Sequence, residues 1–229
     1  MLLPEPGIGW RTFPPELAAA VTEEYRRRGV EVLTEATVAS VEQQGEGARI
    51  RLEDGRILDA DAVVAGLGLV PRTELAEAAG LPVNDGIAVD EQGRVGGRDG
   101  VFAAGDVAHF PSAALGRSMR VEHEDHATSH GRLVGRNMAG AAETYDHLPF
   151  FYSDLFDLSY EAVGEVDSRH AVIAAWSDPN RRGVVAFTDE QRRPRGILLW
   201  GIFGKVDRAR ELILTHEPVD EGTLRELDG

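Results

Sequence analysis

The residues best suited to chemistry lie where apolar runs of the chain end on glycine. Val101–Asp106 is such a run, closed by Gly105 and Asp106. Glycine at a strand end lets a ligand approach the backbone closely, and the Asp106 carboxylate can accept hydrogen bonds from hydroxyl groups. Gly-Asp is also a common turn pair, so a turn that ends a strand is the structural alternative. A second run closes on Gly66 and Gly68, where a ligand contact and a plain crossover between domains suit the residues equally well.

The densest group of ionisable residues lies between Arg120 and His130. His123, His126 and His130 share one face of a predicted helix. His126 and His130 have the spacing of a zinc-protease helix, but Ala127 stands where that motif needs its glutamate. The start of a helix also offers free N–H groups to an anionic or carbonyl-bearing ligand. We therefore expect a polar pocket wall or a solvated helix start here, and no metal site.

Two aromatic segments allow a further binding element. Residues 150–155 and 198–203 are rich in Phe, Tyr and Trp. Core packing is the favoured interpretation of both, and a wall that stacks on a planar cofactor is the alternative. The chain contains no Gly-x-Gly-x-x-Gly fingerprint, no Walker loop and no Gly-x-Ser-x-Gly elbow.

Composition excludes several classes of protein. The 229 residues include 24 Lys and Arg against 39 Asp and Glu, which gives a formal net charge of -15. This acidity disfavours nucleic acid and anionic membrane surfaces as partners. The absence of cysteine excludes disulfides, thiolate metal sites and iron–sulfur ligation within the chain. The apolar runs are too short to span a membrane, and the N-terminal segment does not look like a signal peptide, so we expect a cytoplasmic protein.

The elements that would position these residues follow from hydrophobic patterning. An α/β portion is predicted first, with helices over 15–28, 73–79 and 120–138, a small antiparallel meander over 30–34, 37–41 and 48–52, and buried strands over 61–68 and 101–106. An antiparallel α+β domain is predicted after residue 148, with strands over 159–165, 170–176, 183–188 and 196–203 and a helix over 206–214.

Taken together, the order of these motifs resembles the flavoprotein reductases that have two dinucleotide-binding domains. The resemblance is strongest to the apoptosis-inducing-factor branch, near the ferredoxin and rubredoxin reductases. The motifs that carry it are Leu3-Pro4-Glu5, Gly29-Val30, Asp54-Gly55-Arg56, Gly66 to Pro71, Val101 to Asp106, Arg120-Val121-Glu122-His123, Phe151 to Asp154, Tyr160 to Gly164 and Leu199 to Phe203. These motifs cover nearly the whole chain, and their order is more specific to this family than any single motif.

The resemblance implies roles for individual residues. Its cofactor-binding set is Gly105 and Asp106 at the flavin ribitol, His123 and Glu124 at the isoalloxazine, Glu122, Gly68, Leu69 and Glu161 at the nicotinamide, and Glu5 at the adenosine ribose of NAD. Tyr152 stands where the nearest relatives have a stacking Trp, while Glu124 and Gly201 also depart from the usual residues. A solvated residue in a proline-broken loop is the alternative for Glu5.

The resemblance also implies an organisation and a reaction. The chain corresponds to a C-terminal part of such a reductase: the end of an NAD-binding domain (1–69), the end of an FAD-binding domain (70–148) and a C-terminal α+β domain of the dimerisation type (149–229). The implied reaction passes hydride from NAD(P)H to FAD and on to a small-molecule or protein electron acceptor. Because both Gly-rich fingerprints are missing, we expect the chain to be inactive alone unless a partner supplies the missing N-terminal half. A homodimer is the other expected assembly. A non-catalytic interaction module that keeps only the C-terminal fold is the alternative.

Overall fold

The computed structural model describes all 229 residues and divides into two compact units. Residues 1–69 form the first unit together with 167–169, and residues 70–166 form the second with 170–229. The predicted division into three domains is finer than this and stays a prediction. No helix of the chain is both long enough and apolar enough to cross a membrane.

The first unit contains one helix and a three-stranded antiparallel meander. Its elements are α1 (Pro15–Arg27), β1 (Val38–Gln44), β2 (Gly47–Leu52) and β3 (Ile57–Ala60), with sheet order β1-β2-β3. Proline suits the first turn of α1, where its missing N–H is not needed, and Gly29 after the helix has a φ of 86°. Leu17 and Val21 bury the apolar face of α1, as the helical spacing predicts.

Two strands predicted in this unit are not formed. Residues 61–68 were expected to be a buried strand, but they have no strand partner in the chain, and Val64 and Leu67 are 98% and 92% exposed. Residues 30–34 make only one isolated bridge, from Leu33 to Leu2. Both predictions are wrong for the same reason. The local residue types indicate that a segment suits a sheet, but a strand forms only where a neighbouring strand pairs with it.

The second unit begins with short strands and a long helix. Its elements are α2 (Glu74–Ala78), β4 (Ile87–Ala88), β5 (Ala108–Ser112), β6 (Arg117–Met119) and α3 (Glu124–Met138). β4 pairs with β5 in parallel and β5 with β6 antiparallel. The predicted strand over 101–106 is wrong, since the segment makes a single bridge at Phe102 and ends in a 3₁₀ turn, Gly105–Val107. The helix α3 begins at Glu124 rather than Arg120, because His123 at its N-cap has extended backbone angles.

A five-stranded antiparallel sheet completes the second unit. The strands are β7 (Phe150–Leu155), β8 (Leu158–Gly164), β9 (Ala171–Asp178), β10 (Arg182–Thr188) and β11 (Pro194–Trp200), in the order β7-β8-β11-β10-β9. Four of these strands were predicted, and β7 was missed. The helices α4 (Val206–Leu214) and α5 (Glu221–Arg225) follow. The fully buried Val184, Ile197, Leu199 and Ile213 form the centre of the core between sheet and helices.

Candidate functional site

The 3₁₀ turn Gly105–Val107 presents an acidic side chain to solvent. Gly105 is buried and has a φ of 70°, a left-handed conformation that favours glycine. The Asp106 side chain is exposed, and its carboxylate makes no hydrogen bond within the chain. Arg120 fixes the turn, because its Nη1 donates both to the Asp106 carbonyl, at 3.2 Å, and to Glu122 Oε1, at 2.5 Å. The turn and the residues just before α3 are therefore tied together.

His123 has a ring atom that lacks a partner. Its ring lies 4.4 Å from that of Phe151, centroid to centroid, and its Nδ1 is buried with no hydrogen bond. Burial lowers the pKa of His123, and the nearby carboxylates of Asp106, Asp125 and Glu122 oppose that shift without reversing it. His123 is therefore neutral at neutral pH, and its ring lies at the wall of the cavity described next, with a buried Nδ1 that has no partner in the chain.

An open cavity adjoins His123. Its volume is about 1150 Å³, and its wall combines carboxylates with aromatic rings. The lining residues are Glu122, His123, Glu124, Asp125, Thr128, Ser129, Arg132, His147 and the segment Phe150 to Asp154. Tyr152 is 63% exposed and stacks at 6.5 Å on Phe150, so the β7 segment serves as both core edge and cavity wall. Core packing of this segment is confirmed for Phe150, and stacking on a planar cofactor stays a prediction.

A polar junction supports one side of the cavity. Asp125 Oδ2 accepts from His147 Nε2 at 2.6 Å, from the Phe150 N–H at 3.1 Å and from Arg210 Nη2 at 3.2 Å. Arg210 also donates to the Leu148 carbonyl at 2.9 Å. One carboxylate oxygen thereby joins the start of α3, the segment that leads to β7, and α4.

The structure brings some of the predicted cofactor-binding residues together within the second unit. The turn residues Gly105 and Asp106 and the cavity residues Glu122, His123, Glu124 and Tyr152 belong to it. Glu161 lies directly across the strand pair from Tyr152, where its Oε2 accepts from the Gly204 N–H at 3.2 Å.

Three predicted residues belong to the first unit. Gly68 and Leu69 lie in its exposed, irregular final segment. Glu5 lies in a bend and forms an ion pair with the exposed Arg11 at 2.8 Å. Their roles toward a nicotinamide or an adenosine ribose stay predictions.

The remaining helix histidines do not join His123 at the cavity. His126 and His130 are fully buried on the inner face of α3, against Phe110 and Tyr145. The chain contains no group of three His, Cys, Asp or Glu residues arranged to hold a metal ion.

The sequence did not identify His147, Arg210 or Asp125 as parts of the site. Asp125 had one usable signal, its place in the first turn of a predicted helix, where acidic residues are favoured. His147 and Arg210 are 22 and 85 positions from Asp125 in the chain, so no local pattern connects them.

Comparison with known families agrees with this arrangement. Residues 2–131 match the model of the pyridine nucleotide-disulphide oxidoreductase family, which covers more than half of the chain. The chain belongs to this family. Residues 134–193 match the C-terminal model of the mitochondrion-associated apoptosis-inducing factor, which confirms the resemblance to that branch of the oxidoreductases.

Individual relatives in the oxidoreductase family align over most of the chain. Apoptosis-inducing factor 1 of Dictyostelium discoideum is 31% identical over 96% of the chain and 44% of its own length. Monodehydroascorbate reductase 3 of Arabidopsis thaliana is 37% identical over 72% of the chain and 39% of its own length. The chain spans less than half the length of these relatives.

Solved oxidoreductase structures confirm the fold class. A ferredoxin reductase from Rhodopseudomonas palustris superposes with a TM-score of 0.86 at 27% identity, over 97% of this chain and 55% of that one. The reductase complex with putidaredoxin gives 0.85 at 26% identity, over 97% and 54% of the two chains. A mixed α/β portion followed by an antiparallel domain is therefore the fold of this chain.

Proposed function

We propose that this chain is part of a flavoprotein oxidoreductase that passes hydride from NAD(P)H to FAD and electrons on to an acceptor. Family membership supports the general reaction. The observation that carries the proposal is the pairing of two free polar groups, the exposed Asp106 carboxylate and the buried, unpartnered Nδ1 of His123. They interact electrostatically with each other, and His123 opens onto an aromatic-walled cavity.

The residues of the second unit fit a flavin. A flavin has a planar ring with hydrogen-bonding edges and a polyhydroxylated ribitol chain. The Asp106 carboxylate would accept from ribitol hydroxyls, His123 and Glu124 would contact the ring edge, and Tyr152 supplies an exposed aromatic face. A bound flavin supplies the hydride-accepting chemistry, and the protein supplies orientation and electrostatics.

The nicotinamide would lie beside the same residues. Glu122 is at the cavity wall with its carboxylate held by Arg120, and we assign it to the nicotinamide together with Glu161. For Gly68 and Leu69, which belong to the first unit, a nicotinamide contact is what the family resemblance implies. We assign Glu5 to the adenosine ribose of NAD, since a carboxylate can accept from both ribose hydroxyls. Such binding requires the Arg11 guanidinium to leave Glu5 or to share it.

The electron acceptor is a small molecule or a protein. The monodehydroascorbate reductases among the relatives support a small-molecule acceptor, and the solved putidaredoxin reductase–putidaredoxin complex supports a protein acceptor. The proposal includes the cytoplasmic location and the homodimer expected from the sequence.

Flavin binding by the chain tests the proposal. We expect FAD and FMN to bind with similar affinity, because the chain has no Gly-rich fingerprint for the ADP half of FAD. Titration of each flavin, followed by quenching of its fluorescence, measures both dissociation constants. Protein that stays colourless and leaves both flavins free would contradict the proposal and favour the non-catalytic interaction module.

A further inference from the structure

The turn that presents Asp106 depends on one buried hydrogen bond. Gly105 is buried, and its N–H donates to Nδ1 of His130 at 3.4 Å. A buried backbone N–H needs an acceptor, because inside the protein it has lost its water. Here the acceptor is an imidazole from the next helix.

His130 can accept this bond only as a neutral ring with its proton on Nε2. It is fully buried and lies 4.5 Å from the ring of Tyr145 and 5.5 Å from that of Phe110. Burial in these surroundings lowers the pKa of His130 to about 4, so the ring is neutral at neutral pH. Nδ1 then keeps the lone pair that faces Gly105.

Packed rings and a hydrogen-bonded group surround His130. Tyr145 Oη lies 2.9 Å from His126 Nδ1 and 2.9 Å from Ser129 Oγ, and Ser129 in turn donates to the Asp125 carbonyl at 2.7 Å. His126 also stacks on Phe110 at 4.5 Å. The two histidine rings are 5.0 Å apart, so each limits the space of the other.

The same helix face also fixes the backbone of the turn. A Cβ placed on Gly105 would lie 3.6 Å from the Cβ of Ala127, so α3 packs directly beneath the turn. Ala127 and His130 are three residues apart and therefore share that face. The left-handed Gly105 thus has helix packing on one side and the His130 hydrogen bond at its N–H.

We infer that His130 is a positioning residue: by accepting from the Gly105 N–H, it holds the turn that presents the Asp106 carboxylate to a flavin. The inference rests on the proposed function, which gives Asp106 its ligand. His130 itself touches no ligand, and it acts through the backbone of Gly105.

A matched pair of variants tests this role. In His130→Asn the amide oxygen can reach the position of Nδ1, whereas in His130→Gln the amide reaches that of Nε2 and leaves Gly105 without an acceptor. We expect His130→Gln to accelerate exchange of the Gly105 amide hydrogen at least about tenfold relative to core amides of β10, and to weaken FAD binding by at least about tenfold. His130→Asn should stay near wild type in both measurements.

The outcomes separate this inference from the proposed function. Wild-type protein with a slow Gly105 amide that takes up no FAD would refute the proposed function. Wild-type protein that takes up FAD, with a Gln variant that keeps both the slow amide and the affinity, would refute the positioning role. If both variants fail to fold, the ¹⁵N shifts of wild-type His130 decide: a proton on Nδ1 rather than Nε2 overturns the inference.

Discussion

At the scale of single residues, Asp106 and His123 should report on each other without any ligand. Burial lowers the pKa of His123, while the negative charge of Asp106 raises it and so limits the shift. Removing that charge in Asp106→Asn should therefore lower the pKa of His123 further. NMR titration of the histidine ring protons measures this. Asp99→Asn, which changes an exposed acid outside the cavity, is the control, and an equal effect of both variants would contradict a local interaction.

Asp106 should also determine flavin affinity. Its carboxylate has no partner in the chain, so Asp106→Ala removes a ligand contact and leaves no internal group unpaired. A hydrogen bond to a charged acceptor is worth about 1.5–3 kcal/mol, which corresponds to a loss of at least about tenfold in affinity. Flavin titration and thermal unfolding together measure this. Unchanged affinity in a folded variant would leave Asp106 with only its role in the turn.

At the scale of elements, the sequence correctly predicted those whose packing or pairing partners lie nearby in the chain. The helix α4 was predicted over its observed range because its apolar residues repeat at helical spacing and Ile213 reaches the adjacent core. The turns of the meander were predicted at Gly45 and Gly55, which have positive φ, and so were the strands β1 and β2. Its third strand is β3, which was missed, rather than residues 30–34. Residues 61–68 do not form the predicted strand. A strand needs a neighbouring strand to pair with, and the local sequence pattern does not show whether one is present.

The junction of α3, β7 and α4 should contribute strongly to stability. Asp125 Oδ2 accepts three hydrogen bonds, and its side chain is 22% exposed. Asp125→Ala leaves Arg210 and the Phe150 N–H without this acceptor, and we expect a loss of about 2–3 kcal/mol in the free energy of unfolding. Urea denaturation measures the loss.

The matched control for this prediction is Asp207→Ala. Asp207 also pairs with Arg210, at 3.0 Å, but its side chain is 91% exposed. An exposed ion pair contributes about 0–1 kcal/mol, so this variant should be close to wild type. Equal losses in the two variants would show that Asp125 stabilises the junction no more than a surface acid does.

At the scale of the whole molecule, the order of motifs predicted more than any single motif. The resemblance correctly placed the chain among the oxidoreductases, although no dinucleotide fingerprint is present. The cavity was only partly predicted, since His147 and Arg210 reach Asp125 solely through the packing of distant elements. His126 and His130 share a helix face as predicted, but His123 lies at the N-cap outside α3. The burial of the two helix histidines against Phe110 and Tyr145 was not predicted, because the periodicity of α3 cannot show which distant rings pack on it.

The buried histidines make the stability of the native state depend on pH. The pKa values of His126 and His130 are lowered to about 4, chiefly by burial, whereas in the unfolded chain they lie near the ordinary value of 6.5. Between these values the unfolded state binds protons that the native state does not. Their contribution to stability is therefore complete above pH 6.5 and is lost progressively as the pH falls toward 4.

This dependence predicts a measurable slope. Each histidine should lower the free energy of unfolding by up to about 1.4 kcal/mol per pH unit within that window. Urea denaturation between pH 7 and pH 5 measures the total slope of the free energy of unfolding against pH. His130→Asn should reduce this slope by the contribution of one histidine. His216→Gln is the control, because the His216 side chain is exposed in the native state. A slope that His130→Asn leaves unchanged would show that His130 takes up a proton as readily in the native state as in the unfolded chain, which a ring that accepts from Gly105 at Nδ1 cannot do.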